Sequence, residues 1–138
     1  MNRTQLQPND RPGIRSSFFL LNLVLLALAI AIFLTNEYLI KTYTTNNFVH
    51  GHLNDILIIW VYIPFLNVLL SCLPFFRRFQ IKSLLACTLL TLLTGIVWEY
   101  LIPLFFANGT SDPIDLLMYL LGGITIWLIL RTLANPRR

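Results

Sequence analysis

Charge is scarce in this chain, and acid is scarcer still. Only 12% of its 138 residues are charged, six are acidic and two are cysteine. So little polar material cannot cover a soluble domain of this length. The two cysteines, Cys72 and Cys87, form no CxxC or other ligand spacing, which excludes a disulfide framework and a cysteine-built metal or redox centre. They read as packed thiols near one end of their helices. No HExxH motif and no internal repeat is present.

What is present is apolar. Hydrophobic residues make up 57% of the chain and concentrate in four runs, roughly 17–34, 56–73, 83–98 and 116–130. Each run is near the lower limit for a helix crossing a hydrocarbon core of about 30 Å. In lipid the backbone must satisfy its own hydrogen bonds, so these runs are helices. The first run continues through residues 30–34, which makes it a span rather than a cleaved leader. The expected fold is an all-α membrane protein, a four-transmembrane-helix up-and-down bundle with short connections. Its domain covers 17–133, with helices at about 17–40, 54–73, 83–106 and 112–132. A disordered basic lead, 1–16, and a basic tail, 134–138, flank it.

The placement of charge orients this bundle. Arg3, Arg11, Arg15, Arg77, Arg78, Lys82, Arg131, Arg137 and Arg138 fall on one side, and Lys41 alone on the other. Short cationic loops stay inside, so both termini and the 74–82 loop are expected in the cytoplasm. The pI of about 9.4 then implies no nucleic acid, because the arginines abut the membrane ends and their partner is the lipid bilayer. Five of the six acids (Glu37, Asp55, Glu99, Asp112 and Asp115) and both histidines gather at the opposite, outer end.

Helical rise ranks these polar residues by depth. Glu99 lies 16 residues beyond Ser83, about 24 Å along a helix and inside the apolar boundary. Glu37, 20 residues beyond Ser17, sits about 30 Å along, at the interface. An acid in an apolar region normally faces a partner or a water-filled cavity, which makes Glu99 the leading candidate. Asp112, Pro113 and Asp115 form a capping-box pattern that accounts for both acids structurally. Asp115 also shares a helical face with Tyr119 and Gly122, turned towards the bundle interior. Asn54 reads as the N-cap of the second helix, and Asp55 points at the outer mouth. His50, His52 and Asp55 together offer imidazole and carboxylate ligands for a divalent cation, and solvated loop histidines are the plain alternative. The candidate ligand-binding set is Glu37, Asp55, Glu99, Asp112, Asp115 and Tyr119.

Structural roles are expected elsewhere. Pro64 should bend the second helix, and Pro103 should bend or end the third. Thr88, Thr91 and Gly95 form a small-residue stripe, and Gly122 with Gly123 permits a second close approach. Trp60, Tyr62, Trp98 and Tyr100 mark the outer aromatic belt.

The second half of the chain resembles the VanZ-like family of small bacterial membrane proteins. The resemblance rests on a helix-3 acid, a short outer loop, and then a pattern of Asp, a polar residue and Gly on the next helix: Glu99, Asp115, Tyr119 and Gly122. The 52–55 segment is similar to the polar segment before an earlier helix of the family. Ile102 and Tyr119 depart from the glutamine and asparagine usual there, and the loop lacks the expected arginine. The resemblance implies a multi-pass protein of the bacterial inner membrane with a cell-envelope role, and it carries over no catalytic residue.

Three function classes follow. The first is an envelope protein whose outer acidic mouth recognises a lipid-linked or headgroup-like ligand. The second is a metal-dependent lipid-headgroup hydrolase or transferase, with His50, His52, Asp55 and the acids around a divalent cation. The third is an accessory subunit of a larger membrane complex, a homo-oligomer or a small transporter, its small-residue stripe making helix contacts.

Overall fold

A computed structural model describes residues 12–105 and 113–134 of the chain, with side chains from residue 17. Four helices dominate: α1 (Pro12–Thr35), α2 (Leu53–Cys72), α3 (Leu84–Ile96) and α4 (Pro113–Ala134). No strand occurs among the described residues. With their flanking turns the helices form the stretches Ser17–Tyr43, Asn47–Cys72, Leu84–Phe105 and Pro113–Ala134, each long and apolar enough to cross a membrane. Large hydrophobic side chains such as Leu20, Leu28, Leu85, Leu93 and Leu117 stay exposed on the outside. Such a surface suits a hydrocarbon solvent.

The helices alternate in direction. The end of α1 meets the start of α2 through Asn36 and Asn54, and the start of α2 meets the start of α4 through His52 and Asp115. In space α1 packs on α2, α2 on α4, and α4 on α3. The sequential pair α2 and α3 does not close. The two helices lean on α4 from either side and leave a groove between them.

Small residues set the close approaches, and they set them within the chain. A Cβ on Gly122 would lie 2.9 Å from the Ile56 carbonyl oxygen and 3.0 Å from the Ile59 Cβ, so glycine lets α4 touch the α2 backbone. On the next face, a Cβ on Gly123 would lie 2.7 Å from Thr91 Cγ2 of α3. Gly95 in turn receives Leu116 and Tyr119. The stripe expected to serve helix contacts is therefore used between α3 and α4. Around these contacts Ile59, Ile63, Cys87, Tyr119, Ile126 and Leu130 form the core.

Two helices end in wide, π-helical turns. In Asn36–Ile40 the Lys41 amide bonds the Asn36 carbonyl, and in Val97–Leu101 the Ile102 amide bonds the Val97 carbonyl. The second has an evident cause. Pro103 has no amide hydrogen for the Glu99 carbonyl four residues earlier, and the ladder loosens just ahead of it. Helical structure then resumes over Ile102–Phe105, so Pro103 disturbs this stretch without ending it. Pro64 sits buried inside α2, which is helical on both sides of it.

Several local expectations are corrected. Asn54 is not an N-cap. A helical turn, Asn47–Gly51, precedes α2, and Asn46 caps it by accepting from the Phe48 and Val49 amides at 2.8 and 3.4 Å. That leaves the Asn54 side chain free to bridge helices. Trp60 is more than a belt residue, because its indole N–H donates to Thr125 Oγ1 of α4 at 2.8 Å. Cys87 is packed, whereas Cys72 is exposed. The first helix begins at Pro12, five residues earlier than its apolar run. At the end opposite the acids, buried Asn67 behaves like a peptide group. Its Oδ1 accepts from the Ile81 amide at 2.7 Å, and its Nδ2 donates to the Ile81 carbonyl at 3.0 Å and to Asn22 Oδ1 at 3.1 Å.

Candidate functional site

The polar end is built where the starts of α2 and α4 meet the ends of α1 and α3. Asp55 lies in the first turn of α2 and Asp115 in the first turn of α4, where the positive end of a helix dipole favours a carboxylate. His52 immediately precedes α2. Its Nδ1 lies 2.7 Å from Asp115 Oδ1, a contact between residues 63 positions apart. Asp55 faces both Asp115 and the Tyr119 hydroxyl, and the negative charge of Glu99 also bears on it. One ligand atom each from His52, Asp55 and Asp115 falls within 4.8 Å of the others. Asp55 Oδ2 is buried there and has no hydrogen-bond partner.

Glu99 is buried, at 8% exposure, in the wide turn after α3. Its charge bears on Tyr119 as well as on Asp55, which ties the α3 acid to the α2–α4 pair. Tyr119 is also buried and stands one helical turn below Asp115 on α4. Glu99 and Tyr119 thus both lie in the packed interior. Asp112 lies outside the described residues, as does the capping box that it would complete.

Two sequence candidates stand apart from this group. His50 is not beside Asp55. Its Nε2 lies 2.7 Å from the Thr44 carbonyl oxygen on the exposed loop, and Asp115 takes the third place next to His52 and Asp55. One residue between the histidines is enough to turn them to different partners. Glu37 belongs to a second network. Its Oε2 accepts from Lys41 Nζ at 2.7 Å and from Asn54 Nδ2 at 2.8 Å, while Asn54 Oδ1 accepts from Asn36 Nδ2 at 2.8 Å. Lys41, the lone cation of this end, is therefore committed to Glu37. Composition-based reading passed over Asn36, which is fully buried with its Oδ1 unpartnered. The signal was available: an amide inside an apolar helical stretch seeks a partner on a neighbouring helix.

One helical turn further along α2 from Asp55 begins the groove between α2 and α3. It encloses about 410 Å³ and is walled by Ile58, Tyr62 and Phe65 of α2 and by Leu90, Leu93 and Trp98 on the α3 side. Ile58, Ile59 and Tyr62 follow Asp55 at three, four and seven residues, so the polar mouth and the apolar groove share one face of α2. Chemically the mouth can accept hydrogen bonds, take up a proton or hold a cation, and the groove can take a hydrocarbon chain. Comparison with known proteins adds no assignment: no family model matches the chain, and no curated protein or solved structure is similar to it.

Proposed function

We propose that the chain is a VanZ-like protein of the bacterial inner membrane whose outward-facing mouth recognises the headgroup of a lipid-linked ligand. The observation that carries this reading is the shared face of α2. Asp55, grouped with His52 and Asp115 at the polar end, stands one helical turn from Ile58 and Ile59 in the wall of an apolar groove of about 410 Å³, an arrangement that suits a headgroup above its hydrocarbon chain. The carboxylates accept hydrogen bonds from hydroxyl or amine donors on the headgroup, and Tyr62 and Trp98 flank the chain entering below.

Charge supports the outward direction. Arg77, Arg78, Lys82 and Arg131 sit at the end opposite the acids, and clustered cations in short loops favour the cytoplasmic face. Both termini are cytoplasmic in this reading. An accessory-subunit role receives less support, because the glycine and threonine contacts that suggested it are used up between α2, α3 and α4.

Lipid retention tests the reading. The chain is extracted in mild detergent and its bound lipids are identified by mass spectrometry against the bulk membrane. One headgroup class is expected to be enriched in the wild type and lost in the Asp55→Asn/Asp115→Asn double variant. Leu93→Trp, which fills the groove, should weaken retention without changing the headgroup preference. A bound-lipid profile equal to the bulk membrane refutes the proposal. Reporter fusions after Arg78 and at Asn46 check orientation, with cytoplasm expected for the first and the outside for the second.

A further inference from the structure

We propose that His52, Asp55 and Asp115 form a binding site for a single divalent cation of the zinc class. This stands on the geometry of the three side chains and does not depend on the lipid-headgroup reading.

Two independent observations point to an ion. The first is the donor set. An imidazole nitrogen and two carboxylates arrive from the approach to α2, from α2 itself and from α4, with one ligand atom of each within 4.8 Å of the others. The second is Asp55 Oδ2, a buried carboxylate oxygen with no hydrogen-bond partner. A buried anionic oxygen left bare is expensive. Here it lies beside a second carboxylate, with the charge of Glu99 also bearing on it. Three acids so placed repel one another, and Lys41, the lone cation of this end, is held by Glu37. A doubly charged ion held between the carboxylates relieves that repulsion.

The His52–Asp115 pair requires little adjustment. Zinc binds imidazole nitrogen and carboxylate oxygen at about 2.0–2.2 Å, which puts neighbouring ligand atoms about 3.3–3.5 Å apart in a tetrahedral site. His52 Nδ1 and Asp115 Oδ1 are 2.7 Å apart, joined by a hydrogen. The ion takes the place of that hydrogen, and the two atoms separate by roughly 0.7 Å. The Tyr119 hydroxyl, facing Asp55, then serves as the outer hydrogen bond that orients a ligating carboxylate. A nitrogen in the set selects zinc-like ions over magnesium or calcium, which prefer all-oxygen cages. Three protein ligands leave a coordination position open towards the mouth, where a water or a ligand oxygen binds.

The test uses the full-length chain, free of any histidine tag, in detergent micelles after treatment with a chelator. Zinc chloride is titrated and the metal retained through desalting is counted. One zinc per chain is expected. His52→Ala, Asp55→Asn and Asp115→Asn should each weaken binding at least tenfold, while Cys72→Ser, which removes the exposed thiol, should retain it. A wild-type measurement protects the proposal from misfolded variants. Copper(II) bound to the unaltered chain should show electron-spin coupling to one imidazole nitrogen, and prior loading with zinc should abolish that signal. Absence of stoichiometric zinc in the wild type overturns the proposal. So does retention of zinc by correctly folded Asp115→Asn, or loss of zinc in His50→Ala with Asp115→Asn unaffected, which would move the site to the loop. Zinc binding with no lipid enrichment leaves this site standing and removes only the headgroup reading.

Discussion

Replacing Asn67 with leucine removes the buried side chain that ties α2 to Ile81 in the chain entering α3. Volume is nearly conserved, so the change isolates the hydrogen bonds. Three are lost: two with the Ile81 backbone and one with Asn22. Inter-helix hydrogen bonds in membrane proteins average about 0.6 kcal/mol each, which sets a floor of about 2 kcal/mol for three. The Ile81 amide and carbonyl are also left without Asn67, in a residue only 8% exposed. An orphaned buried polar group costs about 1–3 kcal/mol, so the expected destabilisation is about 2–4 kcal/mol. Asn22→Leu makes the internal comparison. It removes the Asn22–Asn67 bond and the Asn22 bond to the Phe18 carbonyl, but leaves both Ile81 bonds in place. It should therefore cost clearly less than Asn67→Leu. Unfolding in mixed dodecylmaltoside/SDS micelles, followed by tryptophan fluorescence, measures both, and hydrogen exchange at the Ile81 amide reports the lock directly. If Asn67→Leu costs no more than Asn22→Leu and the Ile81 amide stays protected, the peptide-mimic account is wrong.

Two further predictions concern the other end and the loop. Gly122→Ala places a Cβ 2.9 Å from a backbone oxygen that cannot step aside, so overpacking of about 1–3 kcal/mol should outweigh the gain in helix propensity; Gly51→Ala, with nothing within 4 Å of the added carbon, should be neutral or stabilising by up to about 1 kcal/mol in the same assay. Lys82 lies with its Nζ 4.3 Å from the Phe18 ring, and partial burial holds its ammonium below the ordinary 10.5. The unfolded chain then binds that proton more tightly, so stability should rise as pH climbs from the depressed value towards 10.5, and Lys82→Met should flatten the rise.

Run length was enough to count the helices long and apolar enough to span a membrane. That follows from backbone satisfaction in lipid, which needs no partner helix. The groove was out of reach, because a lipid-facing leucine and a groove-lining leucine read alike in a string. The pairing of His52 with Asp115 was out of reach for another reason. It depends on the lateral order of the helices, which brings the start of α2 against the start of α4, and hydropathy is blind to lateral order. The role of Asn54 turned on the extra helical turn capped by Asn46, which moved the helix start upstream and released the side chain towards Asn36 and Glu37. The buried amides Asn22, Asn36 and Asn67 were visible inside apolar stretches, and their positions were the better guide to where helices join.

The lateral order α1–α2–α4–α3 has a consequence for how the chain is made. Synthesis delivers α3 before α4, yet α3 packs on α4 and leaves α2 across an open groove. When α3 enters the bilayer its docking partner has not yet left the ribosome. Thr91 and Glu99, buried in the finished protein, are then without α4. An acid held unsheltered in a bilayer is costly, so the nascent chain is most vulnerable in the interval between its third and fourth helices. A chain arrested at that point should be held by the insertion machinery or cleared by membrane proteases, whereas one arrested after α2 already carries a packed hairpin sealed by Asn22 and Asn67.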